Sequence, residues 1–181
     1  MTEPSLEIAQ IGNPVLRQTA EWIDRPQDRA YQILIADLLQ TMTQSAGVGI
    51  AATQVGVAKQ LVIVASRPTL RYPNAPQISP IPMFNPQLVE HSDETEKGWE
   101  GCLSVPGIRG LVPRYKSVTV EYQDRDGQTQ QLILHDFVAR VFQHEYDHLQ
   151  GIVFVDRVEN TTELMSELEY QRQILGIVPN P

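Results

Sequence analysis

Between residues 136 and 151, apolar side chains recur at helical spacing. Phe137, Val138, Val141 and Phe142 share one face, and His144, Glu145 and His148 continue it at steps of three and four. Asp136 is placed to cap this helix and Gly151 to end it. A second helical stretch opens at Asp24-Arg25-Pro26, where proline suits a first turn. It carries Tyr31, Leu34, Ile35, Leu38 and Met42 and stops at Gly47. Leu61-Val62-Ile63-Val64 forms the centre of a β-rich run over 60–65, read as a buried strand. Residues 67–82 carry five prolines and read as an irregular loop, followed by a strand over 83–90. Polar and apolar residues alternate over 117–123 and 128–134 around Asp124-Arg125-Asp126-Gly127, the pattern of a hairpin. A weaker helix is expected over 162–175. The sequence thus predicts an α+β fold, with antiparallel β-sheets packed around the central helix that bears His144 and His148.

A chain of 181 residues, 41% hydrophobic and 20% charged, suits one domain spanning 1–181 with its own core. No apolar run approaches the ~18–20 residues that cross a bilayer, so no membrane association is expected. Residues 1–10 hold two glutamates and no basic residue, unlike a signal or transit peptide. The net charge of −8 opposes direct nucleic-acid binding, which needs a basic surface. The one cysteine, Cys102, cannot form an internal disulfide, which fits a reducing cytoplasmic location. A free cysteine is most often a small buried hydrophobe, and Cys102 needs weighing against that reading.

His144-Glu145-Tyr146-Asp147-His148 is a His-Glu-x-x-His pattern. On a helix the two imidazoles lie one turn apart and can reach a single metal ion. Glu145, beside the first ligand, is suited to take a proton from water at that metal. The alternative is a pair of core histidines satisfied by hydrogen bonds, which would put three costly polar groups on a buried stripe without a purpose.

Catalytic sites of this type use three protein ligands and leave a position for water. The metzincin extension keeps its glycine as Gly151 but has Phe154 where the third histidine belongs. A thermolysin-like site would draw on Glu163, Glu167 or Glu169, which share a polar segment and read as surface carboxylates. Cys102 follows Gly101, whose missing side chain allows close backbone approach to a ligand. A thiolate with two imidazoles suits zinc, iron(II), nickel or cobalt. Residues 47–54 read Gly-Val-Gly-Ile-Ala-Ala-Thr-Gln. They lack the Gly-Lys-Ser/Thr of a phosphate loop and follow a helix, so they suit a narrow loop against a substrate or a tight connection.

Taken together, Gly47 to Gln54, Glu100 to Ser104 and Gln143 to Leu149 resemble three motifs of the peptide deformylase family: Gly-x-Gly-x-Ala-Ala-x-Gln, Glu-Gly-Cys-Leu-Ser and Gln-His-Glu-x-Asp-His-Leu. Weaker similarity covers 13–17 and 106–110, and the whole resemblance runs over about residues 8–157. It implies a metal-dependent hydrolase that removes the formyl group from formyl-methionyl peptides of nascent proteins, releasing formate. Cys102, His144 and His148 are implied to hold one divalent metal, most often iron(II), with zinc, nickel or cobalt as replacements. Glu145 is implied as acid and base, and the Gln54 amide with the Leu103 backbone N–H as donors to the oxyanion. The methionine side chain is expected against Val48, Phe137 and Val141, whose other reading is plain core. Backbone groups of Val48, Gly49 and Gly101 are expected to pair with the peptide as an added strand would.

Two departures stand out. Thr53 occupies a position where many members have proline. Some members end in a basic helix that docks on the ribosome, whereas residues 156–181 hold five acidic residues and two arginines and finish at Pro179-Asn180-Pro181. Phosphate-rich RNA repels such a tail, so action near the ribosome through tail docking is not expected. The competing classes are a zinc endopeptidase with another third ligand and a metal-binding module without catalysis. Neither needs an amide donor at Gln54.

Overall fold

The computed structural model describes residues 6–69 and 72–177. In chain order they form helix α1 (Arg29–Gln44), strands β1 (Gly49–Ala51), β2 (Leu61–Ser66), β3 (Ile78–His91), β4 (Thr95–Cys102), β5 (Val105–Tyr115), β6 (Ser117–Gln123) and β7 (Thr129–His135), helix α2 (Asp136–Leu149), strand β8 (Leu164–Ser166) and helix α3 (Glu167–Gln173). One sheet has the order β1-β2-β3-β6-β7 and the other β4-β5-β8, with antiparallel neighbours throughout. This is the α+β arrangement expected. Half of the 1–10 segment and the terminal Pro179-Asn180-Pro181 lie outside the described residues.

Strand alternation explains where the helices sit. In β2, Leu61 and Ile63 join Ile35, Leu38 and Met42 of α1, while Val62 and Val64 join Val138, Val141 and Phe142 of α2. Both faces of the larger sheet are therefore covered, and every residue of β2 is buried. A third cluster, Val105, Val112, Val153 and Phe154, underlies the smaller sheet. Helix α2 lies between the two sheets, packed on β1 and β2 on one side and on β5 on the other.

Helix α2 ends as the sequence predicts and begins differently. Gly151 has φ +72°, its N–H donates to the His148 carbonyl at 3.3 Å, and the Ile152 N–H donates to the Asp147 carbonyl at 3.0 Å. This pair of bonds satisfies the last carbonyls of the helix. At the start, His135 rather than Asp136 is the cap, and it makes no side-chain cap bond. Asp136 is the first helical residue, held at φ +48° while its N–H donates to the Lys116 carbonyl at 2.7 Å. Asp is one of the few residues that tolerates that region.

Helix α1 also starts later than expected, because residues 25–28 close a turn through the Asp28 N–H and the Arg25 carbonyl at 3.1 Å. The expected helix over 162–175 divides into β8 and the shorter α3. Leu164 and Met165 pair with Gly110 and Arg109 at the open edge of β5, and the Ser166 hydroxyl then caps α3 by accepting from the Glu169 N–H at 3.2 Å. The strand expected over 83–90 begins earlier, at Ile78, so part of the proline-rich stretch belongs to β3. The β4–β5 hairpin and β1 answer to no expectation from the sequence.

Candidate active site and metal centre

Two elements remote in sequence converge. The end of β4 brings Cys102, and successive turns of α2 bring His144 and His148. One donor atom from each lies within 4.8 Å of the others, and the Cys102 Sγ is 3.2 Å from the His148 Nε2. A cation with bond lengths of about 2.0–2.3 Å fits donors so spaced. The electrostatics also suit a cation. Burial pushes the Cys102 thiol up, but His148 and His144 outweigh it and hold the thiol well below its ordinary range. Burial lowers His144, but hydrogen bonding with Cys102 and Glu100 outweighs it and holds the imidazole well above its usual value. A site that already favours thiolate and gathers positive charge around it is one where a divalent cation can replace protons. His148 is fully buried and its Nδ1 has no hydrogen-bond partner, unlike a core histidine kept for structure.

His144 is fixed from behind. Its Nδ1 lies 2.9 Å from Oε2 of Glu100, leaving Nε2 for the metal side. Glu100 also receives the Arg114 Nε and Nη2, both at 3.0 Å, and the Arg140 Nη1 at 2.9 Å. Burial raises the Glu100 carboxyl, but the Arg114 charge and the bonds from His144 and Arg114 hold it far below the usual carboxylate range. Arg114 further donates to Asp147 at 2.6 Å. These partners were absent from the sequence reading. Glu100 and Asp147 lie inside the motifs that were read, whereas nothing local marks Arg114 or Arg140.

Gln54, at the turn after β1, is aimed at the sulfur. Its Oε1 accepts from the Ala51 N–H at 2.9 Å, and its Nε2 donates to the Ser104 Oγ at 3.2 Å and approaches the Cys102 Sγ at 3.4 Å. Glu145 is buried, with one carboxylate oxygen unpartnered. Burial pushes its pKa up to about 7 against the opposing pull of the histidines. Gly49 is required beside it, because a Cβ there would overlap the Glu145 carboxylate and lie 2.8 Å from its Cγ.

Gln54, Glu100, Cys102, His144 and Glu145 line one cleft of about 890 Å3, with His148 buried directly behind Cys102. Val48, Phe137 and Val141 line it together with Gly49, Gln54, Gly101 and Leu103. Tyr72 adds a wall not expected from sequence: its ring lies 4.4 Å from that of Phe137, and its hydroxyl donates to the Trp99 carbonyl at 2.7 Å. The alternative third ligands are each held in an ion pair outside the Cys102–His144–His148 cluster. Glu163 pairs with Lys97 at 2.5 Å, Glu167 with Arg109 at 2.5 Å, and Glu169 with Arg172 at 3.0 Å. Phe154, where a metzincin would have histidine, stacks beside His144 at a ring separation of 6.3 Å.

The polypeptide deformylase family profile matches residues 5–163. A peptide deformylase 2 of Nostoc sp. is 53% identical over 174 residues, covering 96% of this chain and 97% of that protein. One from Shewanella oneidensis is 46% identical, covering 84% and 83%. The crystal structure of a class I type b peptide deformylase from Acinetobacter baumannii with bound Met-Ala-Ser superposes with a TM-score of 0.83 at 41% identity, covering 87% of this chain and 100% of that one. An actinonin complex of the enzyme from Synechococcus elongatus gives 0.78 at 40% identity, covering 90% and 85%. The chain belongs to the polypeptide deformylase family, the metal-dependent hydrolases that remove the N-terminal formyl group from nascent peptides.

Proposed function

We propose that residues 1–181 act as one catalytic domain in which Cys102, His144 and His148 hold iron(II), and Glu145, Gln54 and Leu103 deformylate formyl-methionyl peptides. The observation that carries this reading is the clustering of the Cys102, His144 and His148 donor atoms at a cleft that the Gln54 amide and Glu145 also line. When bound, the cation supplies a Lewis acid and brings the pKa of water towards ~7. Iron(II) is favoured by the resemblance, and the mixed thiolate–imidazole donor set is compatible with it as well as with nickel, cobalt and zinc.

Glu145 takes the proton of the attacking water and returns it to the departing amine nitrogen. Its elevated pKa suits both halves of that transfer near neutral pH. The Gln54 Nε2 and the Leu103 N–H stabilise the charge that develops on the formyl oxygen, a contribution of about 2.7–4 kcal/mol for such a donor. Val48, Phe137 and Val141 take the methionine side chain, a flexible apolar group suited to an apolar wall. Backbone groups of Val48, Gly49 and Gly101, which line the cleft, pair with the peptide as an added strand would. The Met-Ala-Ser bound by the Acinetobacter enzyme supports a peptide in the equivalent cleft here.

The protein acts in the cytoplasm on nascent chains, without nucleic-acid docking by its acidic tail. Among the described residues no helix is long and apolar enough to cross a membrane. Anaerobic purification followed by elemental analysis and formate assay tests the proposal. About one iron per chain with formate release is expected. Stoichiometric zinc with internal peptide cleavage would make the protein an endopeptidase instead.

A further inference from the structure

The cleft extends well past the metal donors and the methionine wall. Its far side is built by the C-terminal segment: Glu167, Gln171 and Leu175 line it at steps of four, and Ile177 follows. Past the end of α3 the Leu175 N–H donates to the Tyr170 carbonyl at 3.2 Å, five residues back, so the helix closes in a wider turn that keeps Leu175 beside the cleft. Leu168, beside this stripe, is exposed and does not line the cleft.

The segment is anchored at several points. Strand β8 pairs with β5, and Arg109 Nε donates to Glu167 at 2.5 Å. Buried Tyr170 meets the Trp99 ring edge-on at 5.6 Å, and the Arg109 guanidinium lies 5.5 Å from the Tyr170 ring centre. Arg109 in turn fills the space above Gly101, where a Cβ would lie 2.9 Å from its Nε. The C-terminal wall is thus tied to the residue before Cys102. Glu167 and Arg109 offset each other, so the wall presents an amide and apolar carbons.

We infer that this C-terminal wall is the binding site for the peptide residues after the formyl-methionine, with Gln171 and Leu175 beside the third residue. The inference rests on the deformylase reading of the metal site. With the formyl group at the metal and the methionine side chain against Val48, Phe137 and Val141, the remaining length of cleft is where the chain beyond methionine runs. A cleft of this size accommodates a ligand much longer than one residue. An uncharged wall of this composition takes an apolar third side chain in preference to a charged one, because an unpaired charge there loses hydration.

Charge exchange tests the contact. Formyl-Met-Ala-Asp and formyl-Met-Ala-Lys are compared in kcat/KM with formyl-Met-Ala for the metal-loaded protein, Gln171→Lys and Gln171→Glu. Gln171→Lys should shift preference towards the Asp peptide and Gln171→Glu towards the Lys peptide, each by roughly 2–5-fold, the scale of an exposed ion pair. Leu175→Ala should reduce the advantage of formyl-Met-Ala-Leu over formyl-Met-Ala by roughly 3–10-fold through lost apolar contact. Leu168→Ala on the solvent face serves as a control and should leave these ratios alone. Absence of crossed charge preference, with normal melting temperatures and normal formate release by the parent protein, would overturn the inference alone. Absence of formate release by the parent protein would instead overturn the reading beneath it.

Discussion

The Glu100 carboxylate meets Nδ1 of His144 at 2.9 Å while two arginines saturate its remaining acceptor positions. This fixes the tautomer of a candidate metal ligand through a residue outside the Cys102–His144–His148 cluster. Glu100→Gln should therefore weaken metal binding by roughly 10–100-fold, measured by chelator competition. The same change leaves the buried Arg114 short of a charge partner and destabilises the fold. Because the folded carboxyl is held below its unfolded value, its stabilisation is present above about pH 4.5 and disappears as pH falls towards the folded pKa. The difference in melting temperature between parent and variant should accordingly shrink in acid. A constant difference would remove Glu100 as its source.

Glu145 works in the opposite direction. Its folded pKa is raised from 4.5 to about 7 by burial, so the folded state keeps a proton that the unfolded state has lost. Stability of the metal-free protein should fall as pH rises through that window, at a cost of about 3 kcal/mol once above it. Glu145→Gln removes the cost. The metal-free variant should melt several degrees higher than the parent at about pH 8 and similarly at about pH 4. Loaded with metal, it should retain the ion and lose roughly 10²–10⁴ in rate. Loss of the ion from a folded Glu145→Gln variant would make Glu145 a ligand.

Gly49→Ala tests how tightly the base is placed. The new methyl would occupy the position of the Glu145 carboxylate, and β1 is held by pairing of Gly49 with Val64. Displacing the carboxylate by an ångström should cost roughly 10² in kcat with metal content unchanged. A rate within about twofold of the parent would mean that Glu145 has another productive position.

The candidate metal-binding histidines and Glu145 are legible as a cluster because α2 carries them within five consecutive residues, and helical periodicity puts them on one face. Cys102 was legible through the glycine before it and the motif around it. Its strand was not: β4 and β5 contain Gly98, Gly101, Pro106, Gly107, Gly110 and Pro113, a composition that argues against strands. The reason lies in distant contacts. Gly98 is needed because Arg140, reaching across from α2, occupies the space of its side chain, and its guanidinium binds carbonyls of Glu96 at 2.6 Å and Val112 at 2.8 Å. Likewise β8 exists because β5 has an edge to complete, which helical propensity over 162–175 cannot reveal.

Thiolate ligation has its own signature. Cys102→Ala should lose metal and activity together, and the iron form should lose activity in air faster than a nickel form, since iron(II) and thiolate are both oxidisable. Equal decay of the two forms would point to a metal other than iron(II) as the working ion.

The most direct test follows formate and peptide mass together for formyl-Met-Ala-Ser, acetyl-Met-Ala-Ser and an internal peptide, using parent protein and Gln54→Ala. Formyl and acetyl differ by one methyl on the reacting carbon, and Gly49, Gln54 and Leu103 leave little room for it around a metal-anchored centre. The account predicts one formate for each Met-Ala-Ser produced, little action on the acetyl peptide and intact internal bonds. Gln54→Ala should slow release by roughly 10²–10³ with metal retained. Internal cleavage without formate, or an unchanged rate in Gln54→Ala, would contradict the account.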